Sequence, residues 1–251
     1  MIPAWLRGSP AGRLTSLPVG VLGVALVVGA LTIAPGVVPV GGGTGHAARN
    51  AGAVALTFDD GLNGDYTLGV ARALEARGAA GTFFVVGHTL AEQPEVARAL
   101  VAHGHLLANH SSDHEKPSAL DPLYRKLADG QAQFAATVGQ CPRFYRAPHG
   151  VYTALSWLAV RRAGVQVVNW DVEVRDWDAT DPKELAERVL AKVEPGSIVL
   201  LHDGRDGKPG RDRTVLVQAM PLILDGLQAR GLRAVRLDEL LGTPGTLERC
   251  P

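Results

Sequence analysis

Val54-Ala-Leu-Thr-Phe-Asp-Asp-Gly61 decides how this chain is read. An apolar run of strand length ends in two adjacent carboxylates and a glycine, the form in which a buried strand delivers reactive groups to the edge of a sheet. Side chains alternate faces along a strand. At its frayed C-terminal end, however, Asp59 and Asp60 can both turn toward one pocket, one binding a cation and the other left free as a base. The competing interpretation is an Asp-Gly turn that merely closes an ordinary strand.

His110-Ser-Ser-Asp-His114 weighs against that simpler interpretation, because imidazoles four residues apart lie on one face of a helical turn and can share a metal ion. His110 also follows the short apolar run His105-Leu-Leu-Ala-Asn109, so these groups too emerge at a strand end. An aspartate with two histidines is a mixed oxygen and nitrogen set that suits zinc and its first-row neighbours and leaves a position for water. The same pattern of strand then polar cluster recurs in Phe144-Tyr-Arg-Ala-Pro-His-Gly150, Val167-Val-Asn-Trp-Asp-Val-Glu-Val-Arg-Asp-Trp177 and Ser197-Ile-Val-Leu-Leu-His-Asp203.

Outward from these segments, apolar runs alternate with helix-like stretches, which implies parallel strands joined by crossovers. Strands are expected near Val54 to Phe58, Gly81 to Val86, Leu106 to Ala108, Phe144 to Arg146, Gln166 to Trp170, Ile198 to Leu201 and Arg233 to Arg236. Helices are expected over Thr67 to Arg77, Pro94 to His103, Pro122 to Val138, Ala154 to Ala163, Pro182 to Val193 and Thr214 to Arg230. Pro94, Pro122 and Pro182 suit first-turn positions, and Gly78, Gly104, Gly164 and Gly231 follow helices where a left-handed cap is wanted. The alternation alone fits either a parallel barrel or an open doubly wound sheet.

Residues 1–50 contain Arg7, Arg13 and Arg49 but no acidic residue, and they are charge-free from Leu14 to Gly45. That is a targeting segment. Its apolar part, Leu17 to Val40, is interrupted by Pro18, Pro35 and Pro39, so a cleaved signal and an uncleaved membrane anchor both fit; export with cleavage is favoured. Gly41 to Ala48 is expected to hold a cleavage site or act as a flexible tether. Residues 51–251 then form one domain, large enough for a full core. The chain has 25 basic and 25 acidic residues, so without those three arginines the rest carries a net charge of about −3, which offers no basic field for nucleic acid. A monomer is expected. Cys141 and Cys250 are the only cysteines, and in an exported protein such a pair is read as a disulfide, contributing about 4 kcal/mol on the chain-entropy account.

Taken together, the clusters resemble the five motifs of the polysaccharide deacetylases, the NodB-homology or carbohydrate esterase family 4 domain. The resemblance runs from about Ala51 to Leu241. Thr57-Phe-Asp-Asp-Gly61 is similar to the first motif, His110-Ser-x-x-His114 to the second and Arg146-x-Pro-x-Gly150 to the third. Asp176-Trp177 resembles the end of the fourth and Leu200-x-His202 the fifth. Two positions depart from the pattern: His149 stands where the family usually has an aromatic residue, and Glu173 where its fourth motif often begins with Asp. The fold implied is α/β, a distorted, incompletely closed (β/α)7 barrel with its active groups at the C-terminal strand ends.

The activity implied by the resemblance is metal-dependent hydrolysis of N-acetyl groups on an amino-sugar polymer, such as peptidoglycan, a chitin-like chain or poly-N-acetylglucosamine. Asp60, His110 and His114 would hold one divalent ion, zinc or else cobalt or another first-row metal, with Asp59 as general base and His202 as general acid. Arg146 would fix Asp59, and Asp176 would orient His202. The backbone N–H of His149 would meet the oxyanion, while Trp177 and Leu200 would shape a pocket for the acetyl methyl. The polar loop from Arg205 to Arg213 fits either a groove lining or a solvated loop, and the solvated loop is favoured. Rival readings on the same fold are an O-acetyl xylan esterase, a small-amide hydrolase and a non-catalytic carbohydrate-binding protein. The last should have lost a ligand, the base or the acid, and this chain keeps all of them.

Overall fold

The computed structural model describes residues 43–116 and 124–250; the apolar segment Leu17 to Val40 and the expected helix start at Pro122 lie outside them. β1, Ala53–Asp59, is buried from end to end. Parallel neighbours flank it: β7, Ile198–His202, and β2, Thr82–Val85. From β2 the sheet continues through β3 (Leu106–Asn109), β4 (Phe144–Tyr145) and β5 (Gln166–Val167), while β7 pairs with β6 (Val172–Glu173). These seven parallel strands form one path, β5-β4-β3-β2-β1-β7-β6, whose two ends do not pair: a strongly curled, open half-barrel. β8, Arg233–Val235, lies off the path and pairs with the first residues of β1.

The strand list therefore differs from expectation at one place, since the run Gln166 to Trp170 is not one strand. It stops at Val167, and pairing resumes at Val172 on the other side of the opening. The cause is a side chain: Arg146 donates from Nε to the Val168 carbonyl (3.1 Å) and from Nη2 to that of Asn169 (2.9 Å), taking acceptors that would otherwise serve a sheet partner.

Alternation sorts the apolar residues into two layers. Val54, Leu56, Phe58, Phe83, Val85, Leu107, Val199 and Leu201 join the outer core against the helices. Ala55, Phe84, Leu106, Ala108, Phe144, Val168 and Ile198 fill the floor inside the curl. The helices arrive nearly as read: Asp65–Glu75, Pro94–Ala102, Arg125–Val138, Ala154–Arg162, Pro182–Lys192 and Thr214–Ala229, with short added helices at Gly87–Glu92 and Leu237–Leu241. Local chemistry sets their starts. Thr153 and Ser156 form a reciprocal capping box, and Asp181 accepts from the N–H groups of Lys183 and Glu184 just ahead of Pro182. Among the described residues no helix is long and apolar enough to cross a membrane.

Residues 44–49 belong to this architecture. Thr44 bridges Val168 in parallel, His46 bridges Ser197 in antiparallel, and the Ala47 N–H donates to the Gly196 carbonyl (2.8 Å). Arg49 pairs with Asp171 (2.9 Å). Gly196 permits the crossing: its φ is +80°, and a Cβ there would lie 2.5 Å from the Ala48 carbonyl oxygen. Cys141 and Cys250 are joined as a disulfide, tying the chain end to the approach of β4.

Candidate active site

Strand register gathers the site. Asp59 on β1 is in register with His202 on β7, so the two chemically active ends are immediate neighbours in the sheet. Thr57 and Leu200, two residues earlier, are likewise in register and face the same side. Asn109 of β3 is in register with Tyr145 of β4, which sets His110 beside Arg146.

Asp60, His110 and His114 are all buried, and one ligand atom from each lies within 4.8 Å of the others. Both imidazoles present Nε2 to Asp60 Oδ1, at 3.4 Å from His110 and 2.8 Å from His114. The two histidines are not on a helical turn, contrary to the reading of their spacing. β3 ends at Asn109, and the next residues form an irregular turn with Ser111 (φ 70°) and His114 (φ 62°) in the left-handed region. Side chains hold it: Asn109 Oδ1 accepts from the Ser111 N–H (2.8 Å) and Ser111 Oγ from the His114 N–H (3.0 Å). The donor set, one carboxylate and two imidazoles in a buried cradle, fits a divalent first-row ion. Burial works against the Asp60 carboxylate, but the contacts from His110 and His114 outweigh it and hold its pKa well below the ordinary value.

Asp59 stays outside that ligand cluster. Its Oδ2 is 3.8 Å from His110 Nε2, and its Oδ1 accepts from Arg146 Nη1 at 2.6 Å. Arg146 is wholly buried, stacked at 4.0 Å over Phe84, and also donates to Thr57 Oγ1 (3.0 Å). His202 is 15 % exposed and donates from Nδ1 to Asp176 Oδ1 (2.8 Å), which turns Nε2 to the groove. Asp176 Oδ2 accepts from the backbone N–H of the same His202 (2.8 Å), so one carboxylate fixes both the ring and its strand. Desolvation opposes the charged imidazole, yet the charge and hydrogen bond of Asp176, with Asp60 and Asp59 behind them, lift its pKa to about 9.

Around these groups lies a groove of about 920 Å³ lined by every expected site residue except Arg146 and Asp176, which stand behind it. Trp177 packs its ring edge-on against His202 (5.1 Å) and is 42 % exposed, while Leu200 is buried beneath. His149 has φ 56° in a short 3-10 turn after Pro148, and its ring meets His114 edge-on at 4.7 Å. Burial, then the charges of His114 and Lys116, lowers the His149 pKa and favours a neutral ring.

Several lining residues were not anticipated. Trp170 and Tyr152 form walls, and Gly43, Gly45 and His46 reach the rim from the segment expected to hold a cleavage site or act as a tether. The loop after β7 is exposed at Arg205 and from Lys208 to Asp212, as expected of a solvated loop, and it also lines the groove through Arg205, Asp206 and Arg213. It is pinned by Asn63, which donates to the carbonyls of Asp203 (3.0 Å) and Arg211 (2.7 Å), and by Arg213, which donates to that of Gly204 (2.8 Å). Asp203 is buried against Thr67, and desolvation raises its pKa to about 7. No local sequence signal marks these contacts, since all of them run between positions distant in the chain.

The polysaccharide deacetylase family profile matches residues 46–168. A chitooligosaccharide deacetylase of Bradyrhizobium sp. (strain ANU 289) is 36% identical over 198 residues, covering 74% of this chain and 90% of that protein. A peptidoglycan-N-acetylglucosamine deacetylase of Bacillus cereus is 32% identical over 207 residues, covering 81% and 94%. Among solved structures, a peptidoglycan N-acetylglucosamine deacetylase in complex with 4-naphthalen-1-yl-N-oxidanyl-benzamide superposes with a TM-score of 0.75 at 25% identity, over 80% of this chain and 94% of that one.

Proposed function

Because the chain belongs to the polysaccharide deacetylase family, we propose that it hydrolyses the N-acetyl groups of an amino-sugar polymer with Asp59 as general base and His202 as general acid. Peptidoglycan, chitin-like chains and poly-N-acetylglucosamine are the substrate class. The observation that carries this reading is the placement of Asp59 and His202 in register on adjacent strands, at the mouth of the Asp60, His110 and His114 cradle.

Asp60, His110 and His114 would hold a divalent ion, which when bound would supply Lewis-acid polarisation of the acetyl carbonyl and a more acidic water near neutral pH. Zinc suits the donor set best. Asp59, held by Arg146 and uncommitted to the cradle, takes the proton of the attacking water. The backbone N–H of His149, in the first turn where no intrahelical acceptor exists, meets the oxygen as it gains charge. His202 Nε2 then protonates the departing amine, without which the tetrahedral species reverts. Trp177 and Leu200 bound a small apolar pocket that admits acetyl and crowds longer acyl groups. His149 makes the groove wall more polar than an aromatic ring would.

The polymer substrates and the Cys141–Cys250 disulfide support a domain that works outside the cytoplasm, delivered by the segment before residue 50.

The test is acetate release by metal-loaded protein from peptidoglycan, chitin oligomers, poly-N-acetylglucosamine and acetylxylan, paired with elemental analysis. Wild type is expected to carry one metal per chain and to release acetate from an N-acetylated polymer; His110→Ala and His114→Ala should carry none. Full metal occupancy in both variants, activity that survives chelation, or release from acetylxylan alone would each overturn the assignment.

A further inference from the structure

The two imidazoles of the cradle are supported differently, and the difference points to a residue outside the motifs. When Nε2 of a histidine faces a cation, Nδ1 carries the ring proton and needs an acceptor to fix the tautomer and the ring plane. For His110 that acceptor is the Arg146 carbonyl, at 2.8 Å. A main-chain carbonyl is there whatever the side chain. For His114, Nδ1 points instead at Asp206 Oδ1, 3.6 Å away, the acceptor offered to it among the described residues.

Asp206 touches a second ligand as well. Its backbone N–H donates to Asp60 Oδ2 at 2.9 Å, leaving Oδ1 turned to the histidines. The loop is shaped to deliver both contacts. Gly204 runs so close to the first strand's end that a Cβ would lie 2.3 Å from the Asp60 carbonyl oxygen. His88 Nε2 donates to the Gly207 carbonyl at 2.8 Å, closing the far side. Asp206 itself sits at φ 52°, a conformation seldom adopted except by Gly, Asn and Asp.

We infer that Asp206 is a positioning residue of the metal centre: its carboxylate orients His114 and its backbone N–H orients Asp60, so that the loop after the fifth motif completes the cradle. A small rotation of the partly exposed Asp206 side chain would close the 3.6 Å separation to a hydrogen bond from Nδ1. The inference rests on Asp60, His110 and His114 as the ligands.

Asp206→Asn and Asp206→Gly separate the carboxylate from the fold, because both residues accept a left-handed backbone and both keep the N–H to Asp60. Zn2+ affinity is measured by competition with a chromophoric chelator, and the visible spectrum of the Co2+-loaded protein reports ligand geometry. Weaker Zn2+ binding is expected, about tenfold for Asn and up to about a hundredfold for Gly, the range found when such supporting groups are removed. An altered Co2+ spectrum should accompany it, with thermal unfolding of the metal-free protein unchanged. Wild-type affinity and spectrum in both variants would overturn the role of Asp206 while leaving the ligand set standing. Wild type that takes up neither ion would overturn both.

Discussion

The Asp59–Arg146 and His202–Asp176 pairs flank the same cluster of Asp60, His110 and His114, yet they are built in opposite senses. In the first the anion faces the groove and the cation is sealed behind it; in the second the cation faces the groove and the anion is sealed. Arginine does not release its proton under working conditions, so the first pair can exchange protons only through its carboxylate. Histidine does release its proton, and a buried carboxylate behind it raises the pH at which it does. Under the proposed mechanism two neighbouring strand ends would thus offer a base and an acid, because each reactive group is backed by a partner of opposite charge.

The largest effects should come from the two groups that face the groove. Asp59→Asn should retain the metal and lose on the order of 10² to 10⁴ in kcat, and His202→Ala should lose a similar factor. The variants are distinguished by pH profile: without His202 the basic limb flattens and the acidic limb stays. A basic limb that persists unchanged without His202 would break the comparison at its centre. So would near-wild-type acetate release by Asp59→Asn on a confirmed substrate.

The sealed partners should differ more in stability than in their remoteness from the groove suggests. Arg146→Met leaves Asp59 as an uncompensated buried charge and strips donors from Thr57, Val168 and Asn169, a loss of about 3–5 kcal/mol. It should also relax the break between β5 and β6. Asp176→Asn keeps the size of the side chain and one acceptor for the two donors of His202, and costs about 1–3 kcal/mol. Denaturant midpoints compare the two. If Asp176→Asn is the more damaging, Arg146 is not the stronger structural support of the two sealed partners.

These pairs also mark how far the sequence could be read. Asp59, Asp60, His110, Arg146 and His202 were legible because each ends an apolar run, and parallel strands bring such ends together. The position of Asp206 was not legible: it depends on Asn63, Arg213 and Gly204 holding a loop against β1, none of which leaves a period in the sequence. Gly41 to Ala48 reads in the sequence as a cleavage site or a flexible tether, and only the edges of β5 and β7 give Thr44 and Ala47 their backbone partners. The His110–His114 spacing was read as one shared cluster, and the structure does bring both rings to Asp60, but the helical turn expected there is absent. Four residues also span a turn with two left-handed residues, and Asn109 and Ser111 select it through bonds to the backbone.

The smallest expected effect is a dependence of stability on pH that belongs to one pair alone. His202 has a folded pKa of about 9 against an unfolded value of about 6.5, so it is raised by folding. A raised histidine contributes stability that is fully present below about pH 6.5 and is lost as pH climbs through about 9. Asp176→Asn removes the largest source of that rise. The difference in thermal midpoint between wild type and Asp176→Asn should therefore be widest near pH 6 and shrink toward pH 10. The measurement belongs on metal-free protein, where the charge of Asp60 is not offset by a bound ion. Arg146, unable to titrate in that window, gives its pair no matching fall, and the gap between wild type and Arg146→Met should stay level from this cause. A wild-type to Asp176→Asn gap that is flat or widens from pH 6 to 10 would show that His202 is not held protonated by Asp176, and the opposition between the two pairs would lose its physical basis.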